Sequence, residues 1–168
     1  MPCDSHSALW PTQGEIFFRD REFVPQRQVG PHCVATTLAM LTGATPDEFM
    51  GKMNTQNPAT WSDALAPWQM QLAYCPTDVR KVKFYIDDLL HIDDVFTISY
   101  YTTLDAARIL ADPNERGWVT GSHVVMLHRE YILDPASGQR VLVRDHHGME
   151  YHTKRIFRVV PLGYQRKL

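Results

Sequence analysis

The 168-residue sequence predicts an α+β domain, and three observations carry that expectation. Helical spacing and helix-boundary residues concentrate in the first half of the chain. Runs of β-branched and aromatic residues, separated by turn chemistry, fill the second half, and helices followed by antiparallel strands are an α+β pattern. The third observation is bulk. With 44% hydrophobic residues, including four Trp, seven Tyr and seven Phe, the chain can build one core without staples and is not disordered over most of its length.

Residues 1–14 read as an irregular arm and residues 15–168 as a single domain, since no repeat, low-complexity tract or Gly/Ser linker divides them. Glu15 to Val24 predicts two short strands around Arg19-Asp20-Arg21, with Ile16, Phe17, Phe18, Phe23 and Val24 as β-formers and Pro25 closing the segment. Gly30-Pro31 is a breaker, and Pro31 suits a helix start. Val34, Leu38 and Leu41, with Ala35 and Ala39 beside them, recur at helical spacing up to a C-cap at Gly43. Thr45-Pro46-Asp47-Glu48 opens a second helix: an N-cap, a proline at the first position, then two acids near the positive helix end. A third helix is expected from Ser62 to Tyr74, kinked or split by Pro67.

Val95 to Tyr101 reads as a strand and Thr103 to Leu110 as a short helix ended near Pro113. Three apolar runs follow Gly121: His123 to Leu127, Tyr131 to Leu133, and Val141 to Val143, with Pro135-Ala136-Ser137-Gly138 as the turn between the last two. Ile156 to Val160 is the final predicted strand.

A net charge of −2, from 17 basic and 19 acidic side chains, gives no electrostatic reason to expect nucleic acid or an anionic membrane as partner. The basic tail around Lys154, Arg155, Arg158, Arg166 and Lys167 reads as a solvated face. Trp61, Trp68 and Trp118 read as core or as the rim of a groove. No apolar run approaches the roughly 20 residues of a membrane span. The N-terminal MPCDSHSALWP lacks a basic start followed by an apolar stretch, so no signal peptide is expected. Three cysteines are an odd number and too few for a disulfide scaffold. A cytoplasmic protein, or one exported without a classical signal peptide, fits this cysteine usage; the oligomeric state is open.

The chemistry-bearing pattern starts at Cys33, at the start of the helix after Gly30-Pro31. Free backbone N–H groups and the positive dipole end there favour thiolate, which is the nucleophilic form. A reactive thiol needs a base, and His123 opens the strand SHVVMLH directly after Gly121-Ser122. The base needs an orienter, and Asp134 ends the next strand in YILDPASG. With Arg129-Glu130 as a two-residue loop, His128 faces Tyr131, and His123 and Asp134 become diagonal neighbours on one sheet face, about 7–8 Å apart along the backbone. For the oxyanion, the Cys33 N–H is one donor, and a side-chain amide from Gln28 or Gln26 is the second, with Gln28 preferred.

This ordered set resembles the papain-like cysteine peptidases, and more closely the C39-type bacteriocin-processing peptidases and their stand-alone relatives. The resemblance rests on Q-x4-C-V-A-T-T-L-A-M-L-T-G at Gln28 to Gly43, G-S-H-V-V-M-L at Gly121 to Leu127, and Y-I-L-D-P-A-S-G at Tyr131 to Gly138. It departs at Val34, where relatives often carry Gly, and in the glutamine offset, which is nearer six in the family than the five of Gln28 or the seven of Gln26. The resemblance implies a helical half carrying the nucleophile and an antiparallel sheet carrying His and Asp. It also implies a thiol hydrolase, most readily a peptidase acting on a peptide or protein through a thioester, with no metal or organic cofactor. Deamidases, transglutaminases and other acyltransferases use the same three groups. A non-catalytic module of the same fold is a further alternative. No ATP-binding cassette, transmembrane part or pro-segment is expected. The rival reading is structural zinc, drawing on His32-Cys33, His146-His147, His152, Cys3 and His6, although no paired CxxC or HxxxH spacing supports it. His146-His147-Gly148 otherwise reads as a turn, and Cys75 as a buried residue.

Overall fold

The computed structural model describes residues 9–10, 14–110, 112 and 114–165. Among these, six strands form one antiparallel sheet: β1 (Met70–Cys75), β2 (Val95–Tyr101), β3 (Ser122–His128), β4 (Tyr131–Asp134), β5 (Gln139–Leu142) and β6 (Thr153–Pro161). Their order across the sheet is β1-β6-β2-β3-β4-β5. Strand residues alternate between two cores, as the period of two requires. Val124 and Met126 of β3 join the core under α1 (Cys33–Thr42) and α2 (Pro58–Leu65). Val125 and Leu127 join the opposite core, which holds Tyr85, Ile86 and Leu89 of α3 (Lys83–Ile92). The α+β class read from the sequence is therefore observed, as an antiparallel sheet with helices on both faces.

α1 is apolar nearly all round, with Val34 to Leu41 buried, because β3 lies on one side and α2 and the segment after α1 on the other. Its start follows Gly30, whose φ of 68° suits glycine, and its end is Gly43 in the left-handed region, donating N–H to Ala39 O. The β3–β4 hairpin has His128 opposite Tyr131, and Arg129 takes the positive φ that such a tight turn favours.

Several expectations are corrected. Glu15 to Val24 forms bends and a turn instead of two strands, since the Phe17 and Phe18 N–H groups donate to the Asp94 carboxylate at 2.9 Å each and are not free for a ladder. The helix at Thr45 is one 3-10 turn, Pro46–Glu48, and the short helix at Thr103 to Leu110 shrinks to Ala106–Arg108. The third helix begins earlier, with the Asn57 side chain accepting from Ala59 N–H, and ends before Pro67. Gln69 then takes a positive φ of 61°, and Met70–Cys75 becomes β1 against β6. Within the predicted arm, Leu9 and Trp10 are buried, and Trp10 stacks with Tyr164; residues 1–8 and 11–13 lie outside the described residues. The basic tail is not wholly a solvated face either. Arg158 is fully buried, stacks on Trp10 and Phe17, and pairs with Asp94 at 2.6 Å. Trp61 is core, whereas Trp118 is exposed. Among the described residues, no helix is long and apolar enough to cross a membrane.

Candidate active site

Cys33 is the first residue of α1 and is half-buried. His32 provides no side-chain cap, and no acid lies in the first turn, so no side chain competes for the leading N–H groups. His123 is the second residue of β3 and carries the parity of the α3 face, whereas α1 packs on the opposite face. The two side chains meet because each sits at the end of its element. The Cys33 thiol and the His123 ring lie close enough for each to shift the other's proton affinity. The His123 Nε2 lies 2.7 Å from Asp134 Oδ1, which leaves Nδ1 for the sulfur.

Asp134 ends β4 and is buried to 2% exposure. Its Oδ1 also accepts the Ala136 N–H at 2.8 Å, so the carboxylate sets the turn and holds the histidine at once. Its Oδ2 lies 2.7 Å from Nε2 of His146. The Nδ1 of His146 accepts the Gly148 N–H at 3.0 Å, so Nε2 carries the hydrogen and donates to Asp134. This brace was missing from the sequence reading, which left His146-His147-Gly148 as a turn. The turn is real, a 3-10 stretch over His147–Glu150 with His146 at its N-cap, and the cap residue is what reaches Asp134.

The charges follow from these contacts. Burial pushes the Cys33 thiol up, but the hydrogen bond and charge of His123, with the N–H groups of Val124 and Val34, outweigh it and hold the thiol below its ordinary value. Burial disfavours the His123 imidazolium, yet its bonds to Asp134 and Cys33 raise it to about 9. Burial would also raise Asp134, but hydrogen bonds from His123, His146 and Ala136 N–H hold it well below the usual carboxylate range. The arrangement favours a thiolate–imidazolium pair backed by a carboxylate, a set of groups that can perform nucleophilic attack and proton return. Tyr100 packs edge-on against His123, with centroids 5.7 Å apart, and closes the inner side.

Gln28 has its side chain held by its own loop. Its Nε2 donates to Gly30 O at 2.9 Å, its backbone N–H donates to Pro135 O at 2.7 Å, and it is absent from the lining of the cleft beside Cys33. One amide hydrogen is thereby spent and the other is left. Gln26 donates to Ala44 O beyond the far end of α1, which takes it away from Cys33. Of the residues weighed for zinc, Cys3 and His6 lie outside the described residues. Ligand atoms of Asp134, His146 and His147 lie within 4.8 Å of one another, but both Asp134 oxygens and both His146 nitrogens already carry hydrogen bonds. Cys75 is buried.

The cleft beside Cys33 has a volume of about 240 Å³ and lies on the α1 face of the sheet, with Trp61 and Val124 in its wall. No family model, curated protein or solved structure matches this chain.

Proposed function

We propose that this chain is a cysteine-dependent hydrolase, a peptidase in the manner of the papain-like and C39-type enzymes its motifs resemble. The observation that carries the reading is the meeting of Cys33, at an uncapped helix start, with His123, whose Nε2 is held 2.7 Å from Asp134 Oδ1. A histidine held by a buried carboxylate beside a half-buried thiol supports the catalytic reading over a non-catalytic module.

In this reading the Cys33 thiolate attacks a substrate carbonyl carbon, and the π electrons move to oxygen as the C–S bond forms. The Cys33 N–H, and Gln28 if its remaining amide hydrogen turns in, stabilise the oxyanion. Collapse expels the amine, which takes the proton from His123 and leaves a thioester. Neutral His123 then takes a proton from water as the hydroxyl adds, and collapse releases a carboxylic acid and restores the pair. Asp134 keeps Nε2 of His123 occupied, so Nδ1 always faces the sulfur.

The test is the rate of Cys33 alkylation by limiting iodoacetamide from pH 5 to 9, read by peptide mass mapping. Wild-type Cys33 keeps reacting well below the ordinary thiol pKa of about 8.5, and His123→Ala moves its profile to or above that value. A wild-type profile that overlays a free thiol overturns the proposal.

A further inference from the structure

The cleft beside Cys33 holds groups that acyl-transfer chemistry does not use. The β2–β6 ladder shifts register between Ser99 and Tyr100: Ser99 pairs with Arg155 and Tyr100 with Thr153, so Lys154 is the extra residue of a bulge. In a regular strand Lys154 and Arg155 would point to opposite faces. Here both line the Cys33 cleft, together with Ser99, Trp61 and Val119. Ser99 is 2% exposed, and its hydroxyl has no hydrogen-bond partner. The Arg155 Nε is buried and also without a partner. Arg155 lies over the Trp61 ring at 5.9 Å. Lys154 lies over Tyr101 at 5.8 Å and donates to Ser122 Oγ at 3.3 Å.

Among the described residues, no carboxylate makes an ion pair with Lys154 or Arg155. The acid that shares the outer cavity, Asp112, is exposed. Burial and the neighbouring Arg155 charge lower Lys154, against a smaller upward pull from Cys33, and burial lowers Arg155. Two cations, a desolvated N–H and a desolvated hydroxyl thus line the same cleft as Cys33, a wall rich in donors and poor in acceptors.

We propose that Lys154, Arg155 and Ser99 form a carboxylate-binding subsite, so that the preferred substrate carries a carboxylate next to the carbonyl that Cys33 attacks. The planar guanidinium edge matches a carboxylate, and the hydroxyl and ammonium add donors around it. The proposal rests on the cysteine-hydrolase reading for the word substrate. The carboxylate can come from an acidic side chain or from a free chain terminus.

Iodoacetate and iodoacetamide test it on the intact protein, since they deliver the same alkyl group with and without a negative charge. The readout is the ratio of their rates at Cys33, in which any change of thiolate fraction cancels. Wild type gives a higher ratio than a free thiol, and Lys154→Gln/Arg155→Gln lowers the wild-type ratio by about tenfold. Lys154→Gln alone, at a half-buried position, lowers it about threefold and keeps the test independent of how Arg155→Gln folds. Protection of Cys33 from iodoacetamide then separates the two sources. Protection by N-acetylglutamate amide assigns a side-chain carboxylate, and protection by N-acetylglutamine assigns a terminal one, with N-acetylglutamine amide as the uncharged control. A ratio unmoved by both variants, or equal protection by all three compounds, overturns the subsite. The hydrolase reading fails separately, through an unchanged Cys33 pH profile in His123→Ala.

Discussion

Replacing Asp134 with asparagine keeps the side chain's shape and removes an acceptor from a place that has only donors. Oδ1 faces Nε2 of His123 and the N–H of Ala136, at 2.7 and 2.8 Å, and Oδ2 faces Nε2–H of His146 at 2.7 Å. His146 cannot switch tautomer freely, because its Nδ1 accepts the Gly148 N–H. An asparagine oxygen turned towards His123 points its NH2 at the His146 donor. Turned the other way, the NH2 meets two donors. At least one buried donor loses its acceptor in either pose, a cost of about 1–3 kcal/mol. For a chain of this size that lowers Tm by roughly 2–4 °C per kcal/mol. Urea unfolding of Asp134→Asn measures the cost directly. His146→Ala removes the opposing donor, so in that background Asp134→Asn costs less by about 1 kcal/mol or more, a coupling that a double-mutant cycle isolates. An Asp134→Asn penalty under about 0.5 kcal/mol, or an equal penalty in both backgrounds, refutes the donor count. The same substitution weakens the His123 imidazolium, and Cys33 alkylation at mildly acidic pH falls, though less than in His123→Ala.

The pH dependence of stability separates the two halves of the ion pair. Held up to about 9, His123 contributes stability that is full below its ordinary pKa of about 6.5 and is lost as pH rises through 9. Cys33, held below its ordinary value, contributes in the opposite sense, gaining as pH rises towards the ordinary thiol range. Urea unfolding between pH 6 and 9 is therefore steeper in Cys33→Ser, which loses the opposing Cys33 slope and keeps the part of the His123 slope that Asp134 supports, than in wild type; equal slopes would remove the pair. Gly148→Ala places a Cβ 2.7 Å from Tyr100 Cε2 and 2.8 Å from His146 Nδ1, so one ring must move. It costs about 1–3 kcal/mol in urea unfolding and shifts Cys33 alkylation to higher pH through the displaced brace on Asp134.

What the sequence revealed was local. α1 is legible because Gly30-Pro31, the apolar spacing and Gly43 agree with one another. The hairpin register is legible because a two-residue loop fixes parity, and the observed His128–Tyr131 pairing follows from it. The features it hid depend on distant partners. Met70–Cys75 is a strand only because Ile156 to Pro161 lie opposite. The Phe17 and Phe18 N–H groups are claimed by Asp94, far along the chain. α3 has no side-chain N-cap and carries Asp87-Asp88 on its wet side, so it shows neither a start signal nor a long apolar stripe. His146 gave one faint sign: a histidine just before His147-Gly148 can cap a tight turn with its ring, and a capped ring is fixed in tautomer.

The place of β6 in the sheet sets the order in which the sheet can close. β6 is C-terminal to every other strand, yet it lies inside the sheet, between β1 and β2. It also carries Arg158, the partner of Asp94, and the Lys154-Arg155 bulge. During synthesis, the segments bearing Cys33, His123 and Asp134 leave the ribosome before the strand that closes the sheet around β2. Pairing at such long sequence separation is slow relative to local contacts. Until it happens β1 has no partner strand, and the sheet ends at β2.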